Sequence, residues 1–174
     1  MADSLGQGDA AVRLVRDERG LALVGDGMEL RGDFSRMLPR LRQGRLQQEL
    51  LVKAARIKGA EAPTAVDCTP GLGEDSLLLA AAGFAVTLFE RDQTIAALLA
   101  DALERAAADP RLAEAVGRMT LVAGNSITGL ATLPEPPDVV YLDPMFPART
   151  KSAAVKKKFQ LLHHLEQPCE EEEA

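Results

Sequence analysis

The chain of 174 residues has no tryptophan, one tyrosine and only two cysteines, Cys68 and Cys169, which lie about a hundred positions apart. Two distant cysteines in a chain without an export signal exclude a disulfide framework and disfavour a zinc site, so we expect no metal. The apolar runs, such as residues 77–82, fall far short of the ~20 residues that a membrane-spanning helix needs. The first residues lack the basic flank and apolar core of a signal peptide, which predicts a cytoplasmic protein with no membrane partner.

A net charge of −6 hides a strong segregation of charge along the chain. With 47% apolar and 26% charged residues, the composition is that of one globular domain, and its acidic balance argues at first against a polyanionic partner. Residues 31–59, however, contain eight basic and two acidic side chains, and residues 144–165 contain five basic and no acidic ones. These stretches are either solvated helix faces or a phosphate-binding surface on an acidic body.

The N-terminal third favours a small β-structure followed by one helix. Apolar residues at 14–15 and 21–24 flank a polar turn and predict a hairpin, to which residues 28–30 add a third short strand. Further on, apolar side chains at helical spacing predict one amphipathic helix over residues 45–58, with basic side chains on its other face. Its apolar positions are Leu46, Leu50, Ala54 and Ile57. We therefore expect an N-terminal β appendage with a basic linker over residues 1–44.

From residue 62 onward, short apolar runs alternate with helical patterns. The predicted strands are residues 64–68, 84–89, 119–123 and 139–142. The predicted helices are residues 75–82, 92–108 and 126–131. This alternation implies an α/β fold whose sheet is mostly parallel and carries helices on both faces. The unit is expected to span residues 45–165, followed by an acidic tail over residues 166–174.

Two features at the ends of the first two strands of this unit indicate a nucleoside-containing cofactor. Asp67 is followed by Gly71 and Gly73, whose lack of a Cβ lets the backbone turn tightly and approach a ligand beside helix N–H groups. Glu90 lies 23 residues beyond Asp67, where a carboxylate can accept hydrogen bonds from a ribose diol. The alternatives are a plain strand-to-helix connection and a helix-capping acid, and the pattern does not separate NAD from S-adenosylmethionine.

The fourth predicted strand ends in a segment suited to an exocyclic amine. It delivers Asp143, Pro144 and Phe146 to the carboxyl edge of the sheet, where ligands bind in such folds. The carboxylate and nearby carbonyls can accept hydrogen bonds from an amine and orient its lone pair, while the aromatic ring stacks on a base. The alternative is a proline-rich turn after a buried strand.

These residues resemble those of class I S-adenosylmethionine-dependent methyltransferases, in which Asp/Asn-Pro-Pro-Tyr/Phe marks enzymes that methylate exocyclic amines. The chain is similar in more detail to the RsmJ family, which methylates N2 of a guanine in 16S ribosomal RNA. The similar segments are DCTPGLGED at 67–75, LFER at 88–91, ALLADAL at 97–103, VYLDPMFP at 140–147 and KSAAVK at 151–156. This resemblance covers about residues 45–157.

The resemblance implies a Rossmann-like class I methyltransferase fold, S-adenosyl-L-methionine as the cofactor, and 16S ribosomal RNA or the small ribosomal subunit as the partner. The family continues with further strands beyond residue 158, so this chain is expected to lack the last strands of the sheet. The cofactor contacts carried over by position are Glu74, Asp75, Glu90, Arg91, Asn125, Ser126 and Asp143, beside Asp67, Gly71 and Gly73 from the glycine turn.

Catalysis is predicted at Asp143, Pro144 and Phe146. The amine's hydrogen bonds to Asp143 and to the Pro144 carbonyl would favour its attacking geometry, while Phe146 holds the base by stacking. The residues predicted to contact RNA phosphates are Arg45, Arg149, Lys151, Lys156 and Lys157.

Two other functions remain open from the sequence. An NAD-dependent oxidoreductase would use the same glycine turn and Glu90, but it gives residues 143–147 no role, and the only imidazoles are His163 and His164 near the acidic tail. A non-catalytic RNA-binding module would use the basic stretches without methyl transfer. Binding of S-adenosylhomocysteine rather than NAD, and methyl incorporation into RNA, separate the three functions.

Overall fold

The structure is a computed structural model that describes residues 12–143. Its strands are β1 (Arg13–Asp17), β2 (Gly20–Gly25), β3 (Met28–Leu30), β4 (Thr64–Asp67), β5 (Ala85–Glu90), β6 (Met119–Ala123) and β7 (Val139–Tyr141). Its helices are α1 (Leu38–Leu41), α2 (Leu50–Ala55), α3 (Glu74–Ala81), α4 (Gln93–Ala107), α5 (Ala113–Val116) and α6 (Ser126–Ala131), with 3-10 turns at Phe34–Met37 and Leu46–Gln48. Within these residues, no helix is both long and apolar enough to cross a membrane.

The predicted N-terminal hairpin and its third strand are confirmed. β1, β2 and β3 form an antiparallel sheet in sequence order. Its inner face buries Leu23 and Leu30 against Ile95 and Leu98 of α4. Apolar burial of this kind makes the small sheet part of the body of the protein, and Leu72 of the glycine turn packs against the same cluster.

A buried carboxylate adds a polar link between this sheet and α4. The Asp101 side chain is only 3% exposed, and it accepts hydrogen bonds from Arg16 and Arg105, each at 2.8 Å. Arg105 also donates to the carbonyl of Gly32, just beyond β3. Burial opposes the ionisation of Asp101, but the Arg105 hydrogen bond, the backbone N–H of Leu21 and both guanidinium charges outweigh it and lower its pKa.

The second sheet is parallel, as predicted, and its strand order is β6-β5-β4-β7. The chain steps from β4 to β5 to β6 in one direction and then returns to place β7 on the other side of β4. This reversal creates a topological switch point at the carboxyl ends of β4 and β7, the position where open α/β sheets bind ligands.

Helices cover both faces of this sheet, which confirms the predicted α/β architecture. On one face Val86 and Leu88 pack in the core with Leu77 and Leu99 from α3 and α4. On the other face α6 lies so close to β5 that a Cβ at Gly129 would clash with the Phe89 ring. Asp92 caps α4 by accepting from the N–H groups of the helix's first turn, so that long helix begins where the sequence predicted.

The single helix predicted over residues 45–58 is wrong. The chain forms a 3-10 turn at Leu46–Gln48, becomes extended at Glu49 (φ −60°, ψ 131°), and resumes as the short helix α2. The Glu49 carboxylate is held by two hydrogen bonds from Arg40, at 2.9 and 2.7 Å. This tertiary ion pair accompanies the break, and Leu50, predicted as an inward position, is 81% exposed.

Candidate active site

Asp67, at the end of β4, shapes the loop that follows it. The carboxylate is buried and accepts hydrogen bonds from the Ser76 hydroxyl at 2.5 Å and from the backbone N–H of Thr69 at 3.0 Å. Burial raises the pKa of Asp67, and the neighbouring charges of Asp75 and Asp143 add to this. Asp67 therefore joins both ends of the glycine turn and lies near the other acids of this edge.

The glycine turn packs closely against two neighbouring elements. Gly71 and Gly73 both have positive φ, at +51° and +77°. A Cβ at Gly73 would lie 2.8 Å from Leu99 Cδ1 and 3.1 Å from Phe34 Cζ, whereas a Cβ at Gly71 would meet no atom within 4 Å. Gly73 is therefore required by both its backbone conformation and its surroundings, and Gly71 by its backbone conformation alone.

Gly73→Ala should lower the free energy of unfolding by about 2–3 kcal/mol, because left-handed strain and overpacking combine at this position. Gly71→Ala is the matched control, for which we expect about 1 kcal/mol from backbone strain alone. Urea denaturation followed by circular dichroism measures both values. Equal losses in the two variants would contradict the role of the Leu99 and Phe34 contacts.

Glu90 ends β5, next to β4 in the sheet. Its side chain is largely buried, and its Oε1 atom accepts from the backbone N–H of Asp92 at 2.9 Å. The capping function that the sequence left open for Glu90 belongs to Asp92 instead. Glu90 and the exposed Arg91 lie where a ligand at the switch point would extend across the sheet edge.

Asn125 and Ser126 follow β6 at the same edge. The Asn125 side chain caps α6 by accepting from the N–H of Ile127 at 2.8 Å. A hydrogen bond with Ser126 partly offsets the burial that raises the pKa of Cys68, the residue after β4. The loop after β6 therefore reaches back toward the switch point.

Asp143 follows β7 and lies opposite the glycine turn. Its backbone N–H donates to the Thr69 hydroxyl at 2.8 Å, and the residue is exposed. Two residues earlier, the Tyr141 hydroxyl donates to Asp75 Oδ2 at 2.8 Å. Burial and this hydrogen bond raise the pKa of Tyr141, with the charges of Asp75, Asp143 and Asp67 adding to the effect.

Among the described residues, acidic side chains outnumber basic ones at this edge of the sheet, called the acidic edge below. Its acidic residues are Asp67, Glu74, Asp75, Glu90 and Asp143. Carboxylates suit a ligand that offers hydroxyl or amine donors and a positive centre. A pyrophosphate at the start of α3 would instead face Glu74 and Asp75, with repulsion between like charges. The edge therefore fits the sulfonium and ribose of S-adenosylmethionine better than the diphosphate of NAD.

The structure brings most of the predicted cofactor residues to one edge, but not every predicted site residue can be placed. Arg45 is exposed and precedes α2 in the chain. The remaining predicted residues lie outside the described part of the chain; they are Pro144, Phe146, Arg149, Lys151, Lys156 and Lys157.

Three polar residues at this edge were not predicted as site residues: Thr69, Ser76 and Tyr141. Thr69 and Ser76 lie two and nine positions after Asp67, and Tyr141 lies two positions before Asp143. Their proximity to the predicted acids in the sequence was the available signal. Their actual partners depend on the pairing of β4 with β7 and on the packing of α3.

The chain is similar to known methyltransferases over most of its length. A family described as "Putative SAM-dependent methyltransferase" matches residues 7–171. The ribosomal RNA small subunit methyltransferase J of Thioalkalivibrio sulfidiphilus is 47% identical over 160 residues, which cover 87% of this chain and 63% of that protein. The protein of the same name from Aeromonas salmonicida is 49% identical over 119 residues, covering 68% and 48% respectively.

A solved structure shares the fold. The crystal structure of a SAM-dependent methyltransferase from Neisseria gonorrhoeae aligns with a TM-score of 0.68 and 31% identity, covering 82% of this chain and 60% of that one. The chain thus spans roughly half to two thirds of the length of these relatives.

Proposed function

Since the chain belongs to the family of S-adenosylmethionine-dependent methyltransferases that includes its RsmJ relatives, we propose that it methylates the exocyclic N2 of a guanine in 16S ribosomal RNA. The observation that carries this proposal is the position of Asp143, held by its backbone N–H opposite the glycine turn at the switch point. A carboxylate in this position can contact an amine presented to a cofactor in the neighbouring turn.

The residues at the acidic edge fit S-adenosylmethionine as the cofactor. Gly71 lets the backbone approach it, Gly73 lets the turn pack against Leu99 and Phe34, and Glu90 accepts hydrogen bonds from its ribose. Glu74 and Asp75 lie at the start of α3, where they face its positively charged part. The cofactor supplies an electrophilic methyl group, so the protein's main task is to hold the two reactants in line.

Asp143 prepares the acceptor amine. The lone pair of guanine N2 is delocalised into the ring, so a carboxylate that accepts an N–H bond favours the pyramidal amine needed for attack. In the proposed reaction a bond would form between N2 and the methyl carbon, the bond from sulfur to that carbon would break to leave S-adenosylhomocysteine, and the proton lost from N2 would pass to water. Pro144 and Phe146, outside the described residues, are proposed to contribute a carbonyl acceptor and a stacking ring. The target base must be unpaired or turned out of its helix to reach this position.

The first basic stretch, residues 31–59, supplies a candidate RNA-binding surface. The structure divides its eight basic residues into two groups. Arg31, Arg36 and Arg40 form ion pairs with acidic residues of the protein. The others are exposed and form no ion pair within the described residues; they are Arg42, Arg45, Lys53, Arg56 and Lys58. We propose that this second group, the open basic surface, contacts RNA phosphates.

We propose that the open basic surface adjoins the acidic edge. The pKa of Arg40 is raised first by its hydrogen bond to Glu49 and further by the charges of Asp75 and Glu74. Arg40 therefore lies near the start of α3, and Arg42 and Arg45 follow it within five positions. An RNA strand whose guanine reaches Asp143 can thus extend over this surface.

A variant carrying Arg42→Ala and Arg45→Ala should bind small-subunit RNA about tenfold more weakly at physiological salt. The logarithm of the association constant should also depend less steeply on the logarithm of the salt concentration. The magnitude of that slope should decrease by roughly 1.4, since each phosphate contact on a single strand contributes about 0.7. The matched control carries Arg36→Ala and Arg111→Ala, which remove the same charge from residues paired with Asp33 and Asp109. If the control variant shows the same loss of affinity and the same decrease in salt dependence as the Arg42→Ala and Arg45→Ala variant, net charge rather than this surface governs binding.

The proposed function is tested by methyl transfer from labelled S-adenosylmethionine to small-subunit RNA that lacks the modification. We expect label on guanine N2, and calorimetric titration should detect S-adenosylhomocysteine but not NAD. RNA binding without methyl incorporation would favour a non-catalytic RNA-binding module. Binding of NAD in place of S-adenosylhomocysteine would favour an oxidoreductase.

A further inference from the structure

Threonine hydroxyls join β4 and β7 at both ends of the strand pair. At the amino ends, the Thr64 hydroxyl donates to Asp138 Oδ2 at 3.0 Å and accepts from the Asp138 N–H at 3.1 Å. At the carboxyl ends, the Thr69 hydroxyl accepts from the Asp143 N–H at 2.8 Å. The first link joins two exposed positions far from the switch point, whereas the second joins the glycine turn to the acid proposed to hold the amine.

A second side-chain link lies beside Thr69. The Tyr141 hydroxyl donates to Asp75 Oδ2 at 2.8 Å, so β7 is bonded to the first turn of α3 as well as to the glycine turn. The ring of Tyr141 packs against the apolar core that contains Leu77 and Leu88. A tyrosine hydroxyl is protonated at neutral pH, and burial together with Asp75 raises its pKa further, so it remains a donor.

These two links are not needed to pair the strands. The parallel ladder already joins Ala65 to Val139 and Asp67 to Tyr141, and the Cys68 N–H continues it by donating to the Tyr141 carbonyl at 2.9 Å. The hydroxyls of Thr69 and Tyr141 instead connect the residues after β7 to the turn and helix proposed to hold the cofactor. Rates of group transfer depend steeply on such placement, since a misplacement of about 1 Å can cost roughly a hundredfold.

We propose that Thr69 and Tyr141 are positioning residues, which hold Asp143 at a set distance from the cofactor so that the amine and the methyl group meet in line. This inference rests on the proposed function. Thr69 acts on the backbone of Asp143 directly. Tyr141 acts through Asp75, so that a cofactor held at the start of α3 also restrains the strand leading to Asp143.

Single-turnover methyl transfer at saturating S-adenosylmethionine and RNA tests this role. Tyr141→Phe keeps the packed ring and removes only the hydroxyl, and Thr69→Ala removes the acceptor of the Asp143 N–H. Each should lower the transfer rate about tenfold, while the Kd of S-adenosylhomocysteine changes by less than about threefold. Thr69→Ser, which restores a hydroxyl, should recover most of the rate.

Thr64→Ala is the control for a purely structural effect, because it removes the corresponding hydroxyl at the other end of the same strands. It should lower the melting temperature about as much as Thr69→Ala and leave the transfer rate unchanged. The inference is overturned if Tyr141→Phe and Thr69→Ala transfer at the wild-type rate. It is also overturned if Thr64→Ala slows transfer equally.

A second measurement separates this inference from the proposed function. If the wild-type chain transfers no methyl group to RNA, the proposed function fails. The inference is then tested by NMR, through the chemical shift of the backbone amide of Asp143. Addition of S-adenosylhomocysteine should shift that resonance in the wild type, and by less in Tyr141→Phe and Thr69→Ala. A resonance that does not move in the wild type, or moves equally in the variants, overturns the inference that Thr69 and Tyr141 link Asp143 to the cofactor.

Discussion

Asp143→Ala should reduce methyl transfer to small-subunit RNA by about 10²–10³-fold, the loss typical when one positioned group that stabilises a transition state is removed. The Asp143 N–H would still donate to the Thr69 hydroxyl, because that link uses the backbone. Strand β7 should therefore keep its place while the amine loses its acceptor. We expect the affinity for S-adenosylhomocysteine to change by less than about threefold, since the interaction matters chiefly in the transition state.

Two companion variants sharpen this test. Asp143→Asn keeps one oxygen acceptor and should retain more activity than the alanine variant. Asp138→Ala removes an exposed carboxylate at the opposite end of β7, where it bonds to Thr64, and should leave transfer intact. Wild-type transfer by Asp143→Ala would refute the catalytic assignment. A parallel loss of S-adenosylhomocysteine binding would instead assign Asp143 to holding the cofactor.

Asp101→Ala should lower the free energy of unfolding by about 3 kcal/mol, because a buried carboxylate loses two hydrogen bonds from charged donors. The substitution leaves Arg105 and Arg16 without the carboxylate that both contact at 2.8 Å. Domain stabilities are commonly about 5–15 kcal/mol, so this loss is a large share of the total. Because the chain has no tryptophan, urea denaturation is best followed by far-ultraviolet circular dichroism.

Asp109→Ala provides the contrast for this prediction. Asp109 has a pKa lowered to about 2, owing first to the hydrogen bond from the Arg111 side chain. Its partner is largely exposed, however, so solvent screens the pair and we expect a much smaller loss of stability. Equal losses in the two variants would show that the burial of Asp101 is not the cause of its effect.

The pH dependence of the Asp101 effect has a definite sign. Because the folded state lowers the pKa of this carboxyl below 3.8, the ionised form stabilises the protein fully at neutral pH. That contribution should begin to shrink as the pH falls below 3.8, and it is lost as the pH passes through the folded-state pKa. The difference in stability between wild type and Asp101→Ala should therefore be greatest near neutral pH and decrease in acid.

The parallel sheet and its long helix were predictable from local signals. β6 and α6 have the bounds that apolar spacing indicated, and α4 begins directly after the capping residue Asp92. Turn and capping residues act on neighbours a few positions away, so they can be identified in the sequence. The helix predicted over residues 45–58 is interrupted at Glu49, which bonds to Arg40 nine positions earlier, and helical spacing carries no information about that pair.

The amino-acid sequence alone specified the alternating strands and helices, the glycine turn, and the acids that end successive strands, because each is a local pattern of polarity or backbone freedom. Only the tertiary structure decided which of these ends become neighbours. The reversal of strand order brings Asp143 opposite Thr69, 74 positions away, and Tyr141 within 2.8 Å of Asp75. The physical reason is that such contacts depend on the register of strand pairing and on helix packing, which arise only when the whole sheet buries its apolar faces.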